Sequence, residues 1–320
     1  MTRTAARMLL PLLLMACAAC GSRPFAEGGS RELLVVTSLP ADSPEILFLR
    51  AVLERPAIRI EDETAYLVRL ASTDDRRVYR ARTLLFVGYG RSIPEQLRPL
   101  DAIRAATHAP FVFSHDLWLR GQAAGIVWPE RRDELLPLLQ QNQNRLFADL
   151  DRATFATVRA RLLALPRDPQ SEKRLRKELG FSLRVPRGYD VRTDPATHAA
   201  LLLDPGPPTR LLRVAPDRGR NPATDLRSAR ASLARTFRPN ERTLDQTDPT
   251  LTSGELAGAG RRIHGRWQDD AVSAAGPYRF YEVTREGKRF YVDLAVFAPG
   301  RPKLPYLREL QAIAETLTTR

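Results

Sequence analysis

The sequence predicts an α+β fold in two domains, each a mostly antiparallel or mixed sheet packed with helices. Its 320 residues suit about two domains. Hydrophobic residues make up 43% and charged residues 27% of the chain, as in ordinary globular proteins, which excludes a disordered or collagen-like chain. Strand-like segments are grouped together and flanked by segments with helical periodicity, which is typical of α+β proteins.

Residues 1–20 have the composition of a lipoprotein signal peptide. Arg3 and Arg7 give a positive start, residues 8–15 are almost entirely apolar, and residues 16–20 are small. This order predicts a secretory signal, because an export signal consists of a basic region, a short apolar region and a small-residue cleavage zone. The apolar stretch is too short to remain as a membrane-spanning helix.

Both cysteines of the chain, Cys17 and Cys20, lie at this junction, which resembles a bacterial lipobox. Cys17 fits the pattern better because Leu14 stands three residues before it, and Cys20 is the alternative lipid-attachment site. The sequence therefore predicts a membrane-anchored lipoprotein of the cell envelope, on the periplasmic or outer-membrane side. Residues 21–30, rich in glycine and polar residues, predict a tether.

The first domain is predicted over residues 31–166. Residues 33–37 form a short, continuous apolar run, which indicates a strand buried on both faces. Pro44 and Glu45 suit the first turn of a helix, and leucines at helical spacing predict a long helix over residues 130–165. Further strands are predicted at residues 66–70, 83–87, 111–113 and 125–128.

The second domain is predicted over residues 171–320, after a proline-containing break at residues 166–171. Its clearest signal is the alternation of residues 288–297 behind residues 278–283, which predicts a β-hairpin. The other predicted elements are helices at residues 172–179 and 223–237, strands at residues 181–185, 199–203 and 210–214, and a closing helix that begins at Pro305.

The net charge of +13 suggests a nucleic-acid partner, but the arrangement of the charges argues against it. Only four of the 50 basic residues are lysines, and the arginines are scattered over every segment. A phosphate-binding surface usually uses both residue types and gathers them on one face. We therefore predict no nucleic-acid partner, while a basic surface would add weak adhesion to anionic lipid headgroups.

Few residues have the spacing that catalysis or metal binding requires. The four histidines match no metal-ligand pattern, so no metal and no cofactor is predicted. One candidate polar site, His115, Asp116, Trp118 and Gln122, lies between two predicted strands. His115 and Asp116 suggest either a His–carboxylate pair that serves a distant nucleophile or a hydrogen-bonded turn, and the turn is favoured.

Four aromatic residues near the end of the chain form the second candidate site. Trp267, Tyr278, Tyr281 and Tyr291 are close to a glycine-rich bend. Aromatic side chains supply a large contact area to a ligand, so these four are candidates to line a ligand groove. The alternative is that they form the core and the edge of an antiparallel sheet, and this alternative is favoured.

Several short motifs occur together in both predicted domains. They are Arg31-Glu32-Leu33-Leu34-Val35-Val36, Asp116-x-Trp118 with Gln122, Gly265-Arg266-Trp267, Gly276-Pro277-Tyr278 and Val296-Phe297-Ala298-Pro299. This set resembles an uncharacterised bacterial lipoprotein family catalogued as domain of unknown function 4837. The chain departs from its pattern at Ala275, Tyr278 and Phe297, where the family has Gly, Phe and Tyr. The resemblance covers nearly all of the mature chain and implies a lipid-anchored exported protein without an assigned activity.

Two functions remain as hypotheses. The second domain resembles a PsbP-like α/β sandwich, through residues 181–189, the hairpin and the closing helix, and that fold is used for binding and assembly. The leading hypothesis is a lipid-anchored, non-enzymatic binding or scaffold protein, with an envelope protein as a possible partner. The alternative is an envelope hydrolase with a histidine-based site, at His115 or His264, in the cleft between the domains.

Overall fold

The computed structural model describes residues 23–58, 63–217, 225–246 and 256–319. The fold is α+β, as predicted. In chain order, the elements of the first half are β1 (Glu32–Val36), α1 (Pro44–Leu53), β2 (Pro56–Ile58), β3 (Glu63–Thr64), β4 (Leu67–Ala71), β5 (Thr83–Val87), α2 (Arg98–Thr107), β6 (Phe111–His115), β7 (Ala123–Val127) and α3 (Arg132–Ala164). No helix in these described ranges is long and apolar enough to cross a membrane.

The elements of the second half complete the chain. They are α4 (Pro169–Leu179), β8 (Asp190–Asp194), β9 (Ala199–Asp204), β10 (Thr209–Pro216), α5 (Leu226–Phe237), β11 (Glu241–Gln246), β12 (Ala259–Asp269), β13 (Ala274–Arg285), β14 (Lys288–Phe297) and α6 (Leu304–Ala314). The proline-containing break that the sequence predicts lies between α3 and α4, where Asp168 caps α4 by accepting the N–H groups of Gln170 and Ser171.

The first half is built on a mixed sheet with the strand order β4-β1-β5-β7-β6. Strands β4, β1, β5 and β7 run parallel, and only β6 is antiparallel to its neighbour. Alternate residues of β1, such as Val35 and Val36, belong to different buried clusters, because α1 and α3 cover one face of the sheet and α2 covers the other. The prediction of a central strand buried on both faces is thus confirmed.

The second half is built on a seven-stranded antiparallel sheet with the order β11-β12-β13-β14-β10-β9-β8. The predicted hairpin is present as β13 and β14, which are joined by Glu286 and Gly287. Both residues have positive φ angles, 48° and 77°, as a two-residue type I′ hairpin turn requires. Helices α4 and α6 pack on one face of the sheet, and α5 packs on the other.

The predicted strand at residues 181–185 is not a strand, although its apolar residues alternate as predicted. Phe181, Leu183 and Val185 are buried. The backbone N–H groups between them bond elsewhere: Ser182 donates to the Thr318 carbonyl, and Val185 donates to the Glu172 side chain. The segment therefore fills the core as an extended chain outside the sheet. Helix α2 and strands β2, β3, β8, β11 and β12 were not predicted.

The two halves share one continuous hydrophobic cluster, in which side chains of α1 and α3 pack with those of α4 and α6. Polar contacts cross the same boundary. Arg308 on α6 forms a buried ion pair with Asp151 on α3. The Glu63 carboxylate accepts the N–H groups of Lys303 (2.7 Å) and Leu304 (3.1 Å) at the start of α6. The closing helix is therefore bonded to both halves.

Candidate functional site

An open groove lies between helix α5 and strand β11, on the face of the large sheet that only α5 covers. It encloses about 1140 Å³. Most of the side chains that line it are polar, and three of them are arginines: Arg227, Ser228, Ala231, Arg235, Pro239, Asn240, Glu241, Arg242, Thr243, Asp270 and Ala271. We refer to this concavity as the α5–β11 groove.

Local sequence features set the two walls side by side. Asp225 caps α5, because its carboxylate accepts the backbone N–H groups of Arg227 (2.9 Å) and Ser228 (3.3 Å). The helix ends at Phe237, and the tight Pro239-Asn240 turn then starts β11 at Glu241. A connection this short keeps the end of the helix next to the beginning of the strand, so these two walls of the groove are neighbours in the chain.

Glu241, which lines the groove, also belongs to a fully buried group of four charged side chains, which we call the charge cluster: Arg213, Arg230, Glu241 and Asp293. Arg213 and Asp293 are directly opposite each other on β10 and β14. Nη1 of Arg213 lies 3.1 Å from Oε1 of Glu241. Arg230, on α5, is 2.7 Å from Glu241 and 3.1 Å from Asp293. Helix, edge strand and central strands are therefore joined by ion pairs.

The charge cluster is electrically balanced, with two guanidinium groups facing two carboxylates. Burial alone would lower the pKa of Arg213, but Glu241 and Asp293 outweigh it and leave that pKa above its ordinary value. The Arg230 guanidinium also lies 3.8 Å from the centre of the Tyr278 ring. Burial raises the pKa of Tyr278 to about 12, so its hydroxyl stays neutral. The charge cluster thus has no net charge.

The rim of the groove is positive. Arg227, Arg235 and Arg242 are exposed. Arg242 forms an ion pair with Asp270, which follows the neighbouring strand β12, whereas Arg227 donates to the carbonyl of Leu244 at 3.0 Å. Outside the balanced charge cluster, the lining therefore contains three arginines and one carboxylate. This arrangement favours an anionic ligand.

The first candidate polar site forms a turn. His115 is exposed at the end of β6, and its imidazole forms no hydrogen bond within the described part of the chain. Asp116 turns its carboxylate into the loop, where Oδ1 accepts the backbone N–H of Gly121 at 2.6 Å. Asp116 adopts a positive φ of 51°, which an aspartate tolerates better than most residues. No His–carboxylate pair is formed.

Gln122 is the buried centre of the same turn. Its side chain donates to the carbonyls of Tyr79 (2.9 Å) and Ala81 (2.8 Å) and accepts the backbone N–H of Trp118 (3.2 Å). The Trp118 ring packs against Tyr79, with the ring centres 4.8 Å apart. The structure therefore brings Asp116, Trp118 and Gln122 together as a structural support for the loop, and leaves His115 outside it.

The second candidate site is divided between the two faces of the large sheet. Trp267, Tyr278 and Tyr291 face α5, whereas Tyr281 belongs to the cluster on the opposite face. Trp267 and Tyr278 are buried in the core. The four aromatics therefore do not line one groove, because the alternation of side chains along β13 sends Tyr278 and Tyr281 to opposite sides.

Four further predictions concern other parts of the chain. Cys17 and Cys20 lie outside the described residues. Residues 23–30 fall in the predicted tether, yet the backbone N–H groups of Ala26 and Glu27 donate to the carbonyls of Arg120 and Arg80 beside the first sheet. Within the described ranges, no three His, Cys, Asp or Glu side chains are placed to hold a metal ion. His264 lies on β12 of the second sheet, opposite Arg279.

The charge cluster and the α5–β11 groove were not predicted from the sequence. A signal was present, because Arg213 and Asp293 each interrupt an apolar run in a strand. Lysine, arginine and acidic residues are almost never buried without a partner, so two such interruptions in neighbouring strands indicate a buried ion pair. The partners Arg230 and Glu241 carry no comparable signal, because their surroundings in the sequence are polar.

No protein-family model and no curated protein matches this chain. Among solved structures, 44% of the chain is similar to a protein from Bacteroides thetaiotaomicron, with 10% identity and a TM-score of 0.23, and spans only 45% of that protein. A second similarity covers 43% of the chain and 82% of LpqN, a Mycobacterium tuberculosis protein involved in cell envelope biogenesis, with 14% identity and a TM-score of 0.23. We therefore argue the function from this chain alone, and the resemblance to the lipoprotein family stays a prediction.

Proposed function

We propose that the protein is a lipid-anchored, non-enzymatic protein of the cell envelope that binds a ligand in the α5–β11 groove. The observation that carries the proposal is the groove itself. One lining residue, Glu241, is fixed by the buried ion pairs of the charge cluster, while the arginines of the rim are exposed. Ligand sites are usually concave, largely preformed and equipped with a few placed polar groups, as this groove is.

The groups in the groove suit binding better than catalysis. Of the described lining residues, none is histidine or cysteine. The two carboxylates, Glu241 and Asp270, are both held in ion pairs with arginines. The Ser228 hydroxyl bonds to the capping carboxylate of Asp225 at 3.0 Å. The Thr243 hydroxyl accepts a hydrogen bond from Arg230 at 2.7 Å. General-base or nucleophilic chemistry needs a group that is free to accept a proton or attack, and the described lining side chains offer none.

The anchor is supported by the sequence of the leader. Arg3 and Arg7, the short apolar region and Cys17 are arranged as in an exported lipoprotein. In this proposal the lipid on Cys17 attaches the protein to the membrane, and an envelope protein or a smaller envelope molecule occupies the groove.

Blocking the groove tests the binding function. Ala231 lies in the middle of the α5 wall, so Ala231→Trp fills the groove, while Arg176→Trp on the exposed face of α4 is the matched control. Full-length, anchored protein is affinity-purified from envelopes, and the co-purified proteins and small molecules are identified by mass spectrometry. A molecule that is retained by the wild type and by Arg176→Trp but lost from Ala231→Trp supports the proposal. Identical sets from all three proteins contradict it.

A further inference from the structure

We propose that the ligand of the α5–β11 groove carries phosphate groups and that Arg227 and Arg235 bind them. This inference rests on the proposed function and specifies the chemistry of its ligand. Neither arginine belongs to the candidate sites that the sequence predicts. Three features of the groove lead to it: the spacing of the two arginines, the state of their guanidinium groups and the net charge of the lining.

Spacing places the two arginines on one wall of the groove. Arg227, Ala231 and Arg235 follow one another at intervals of four residues, so they lie along one face of α5. Eight residues of helix separate the outer two by about 12 Å along the axis. The methyl group of Ala231 leaves the space between them open. Two long cationic side chains thus flank a shallow gap in which an anion is reached from both sides.

The guanidinium groups of Arg227 and Arg235 keep N–H groups that are available to a ligand. Arg227 donates Nη2 to the carbonyl of Leu244 (3.0 Å), and Arg235 donates Nε to the carbonyl of Ala231 (3.2 Å). Within the described ranges neither forms an ion pair with a carboxylate. The nearby carboxylate of Asp225 is bound to the backbone at the start of α5. An arginine has five N–H donors, so most of the donors on each side chain remain for a ligand.

The net charge of the lining favours an anion with more than one negative charge. The buried carboxylate of Glu241 is neutralised by Arg213 and Arg230, and Asp270 neutralises Arg242. Among the described lining residues, Arg227 and Arg235 remain as the two cations without an ion pair, and Asp225, which caps α5 outside the lining, attracts Arg227. Arginine is the preferred side chain for phosphate, because its planar fork donates two parallel hydrogen bonds to two oxygens of the same group. A diphosphate or two neighbouring phosphate groups match this pair in charge.

A phosphate ligand has two possible sources in an envelope, namely a free phosphate ester and a phospholipid headgroup. Both present the same chemistry to the groove. A protein anchored by lipid is held near headgroups, whereas an open groove is also accessible to a soluble compound. Two probes therefore separate the sources: inorganic pyrophosphate in solution, and phosphatidylglycerol in mixed detergent micelles.

The test is calorimetric titration of the full-length protein in neutral detergent at fixed ionic strength. Arg227→Gln/Arg235→Gln removes both groove cations, and Arg176→Gln/Lys177→Gln removes two exposed cations from α4 with the same change in net charge. We expect saturable binding of at least one probe, and about a tenfold loss of affinity for each groove arginine removed. The α4 double variant should bind like the wild type.

The outcomes separate the inference from its alternatives. Saturation by pyrophosphate but not by phosphatidylglycerol supports a soluble phosphate compound, and the reverse supports a lipid headgroup. Equal weakening by both double variants overturns the inference, because the attraction then comes from overall charge. Failure of the wild type to bind either probe also overturns the inference. If the wild type then retains an envelope ligand that Ala231→Trp loses, only the phosphate assignment fails and the binding function stands.

Discussion

The Arg213 guanidinium lies 3.1 Å from the Glu241 carboxylate, although their strands, β10 and β11, are four positions apart in the sheet. In a flat sheet four positions correspond to about 19 Å, which is more than these two side chains can bridge. The sheet therefore curls around α5 and brings its edge strand back over the helix. The same curl forms one wall of the α5–β11 groove, so the charge cluster holds the shape of the proposed site.

Removing one charge from the cluster should be costly. Asp293→Asn keeps the shape of the side chain but leaves Arg213 and Arg230 facing a single carboxylate in a fully buried place. Breaking a buried pair in this way costs about 3–5 kcal/mol of unfolding free energy, measured by urea denaturation. As a matched control, Asp270→Asn breaks the exposed pair with Arg242 and should cost less than about 1 kcal/mol.

A double-mutant cycle tests whether the cluster acts as one unit. Arg213→Met and Asp293→Leu each leave an uncompensated charge, but together they leave Arg230 paired with Glu241 at 2.7 Å. The double variant should therefore lose less stability than the sum of the two single variants, by at least about 1 kcal/mol. Strictly additive losses would show that Arg213 and Asp293 do not interact as the structure indicates.

Gly276 on β13 lies against the backbone of β14. A Cβ atom at this position would stand 2.0 Å from the carbonyl oxygen of Val296. Gly276→Ala should therefore lower the free energy of unfolding by about 3 kcal/mol or more, because the backbone of β14 has to move. Gly260→Ala on β12 is the control, since its Cβ would meet its nearest atom at 3.9 Å. Equal stability of the two variants in thermal unfolding would refute this close approach.

Glu315, at the end of α6, should make stability depend on pH. Burial raises the pKa of Glu315 above its ordinary value of 4.5, and the neighbouring Arg159 offsets this only in part. The folded protein therefore holds this proton more tightly than the unfolded chain, so the contribution of Glu315 to stability falls as pH rises from 4.5 through the folded pKa.

Glu315→Gln removes this dependence. As the pH rises from acidic to neutral, the unfolding free energy of the variant should increase relative to that of the wild type. Urea denaturation at a series of pH values measures both. The variant lacks the ion pair that the charged Glu315 of the wild type forms with Arg159 at 3.5 Å. If the unfolding free energy of the variant minus that of the wild type stays constant or falls as pH rises, the raised pKa of Glu315 is contradicted.

Local patterns were sufficient to predict much of the fold. Alternation in residues 288–297 predicted β14, and leucine spacing predicted α3 and its end near Leu165, because both signals come from neighbouring residues. The pattern failed at residues 181–185, where Ser182 bonds to Thr318 rather than to a strand. Alternating burial alone does not tell whether the backbone N–H groups meet another strand.

The same local patterns did not predict the charge cluster, because its residues are far apart in the chain. Arg213 and Asp293 are separated by 80 residues, and Arg213 and Glu241 by 28. Their contact follows from the order and the curl of the strands, which no local pattern specifies. The four aromatic residues belong to the antiparallel sheet, the alternative that the sequence favoured, and Tyr278 and Tyr281 point to opposite faces of one strand.

The lipid anchor is the central claim, because the location in the envelope determines which ligands are available to the α5–β11 groove. Metabolic labelling with radioactive palmitate, in cells that produce the wild type, Cys17→Ser or Cys20→Ser, measures it directly. We expect the wild type and Cys20→Ser to be labelled and to sediment with membranes, and Cys17→Ser to lose the label. A wild-type protein that takes up no palmitate, or a label that survives both substitutions, would contradict the proposal of a lipid-anchored envelope protein.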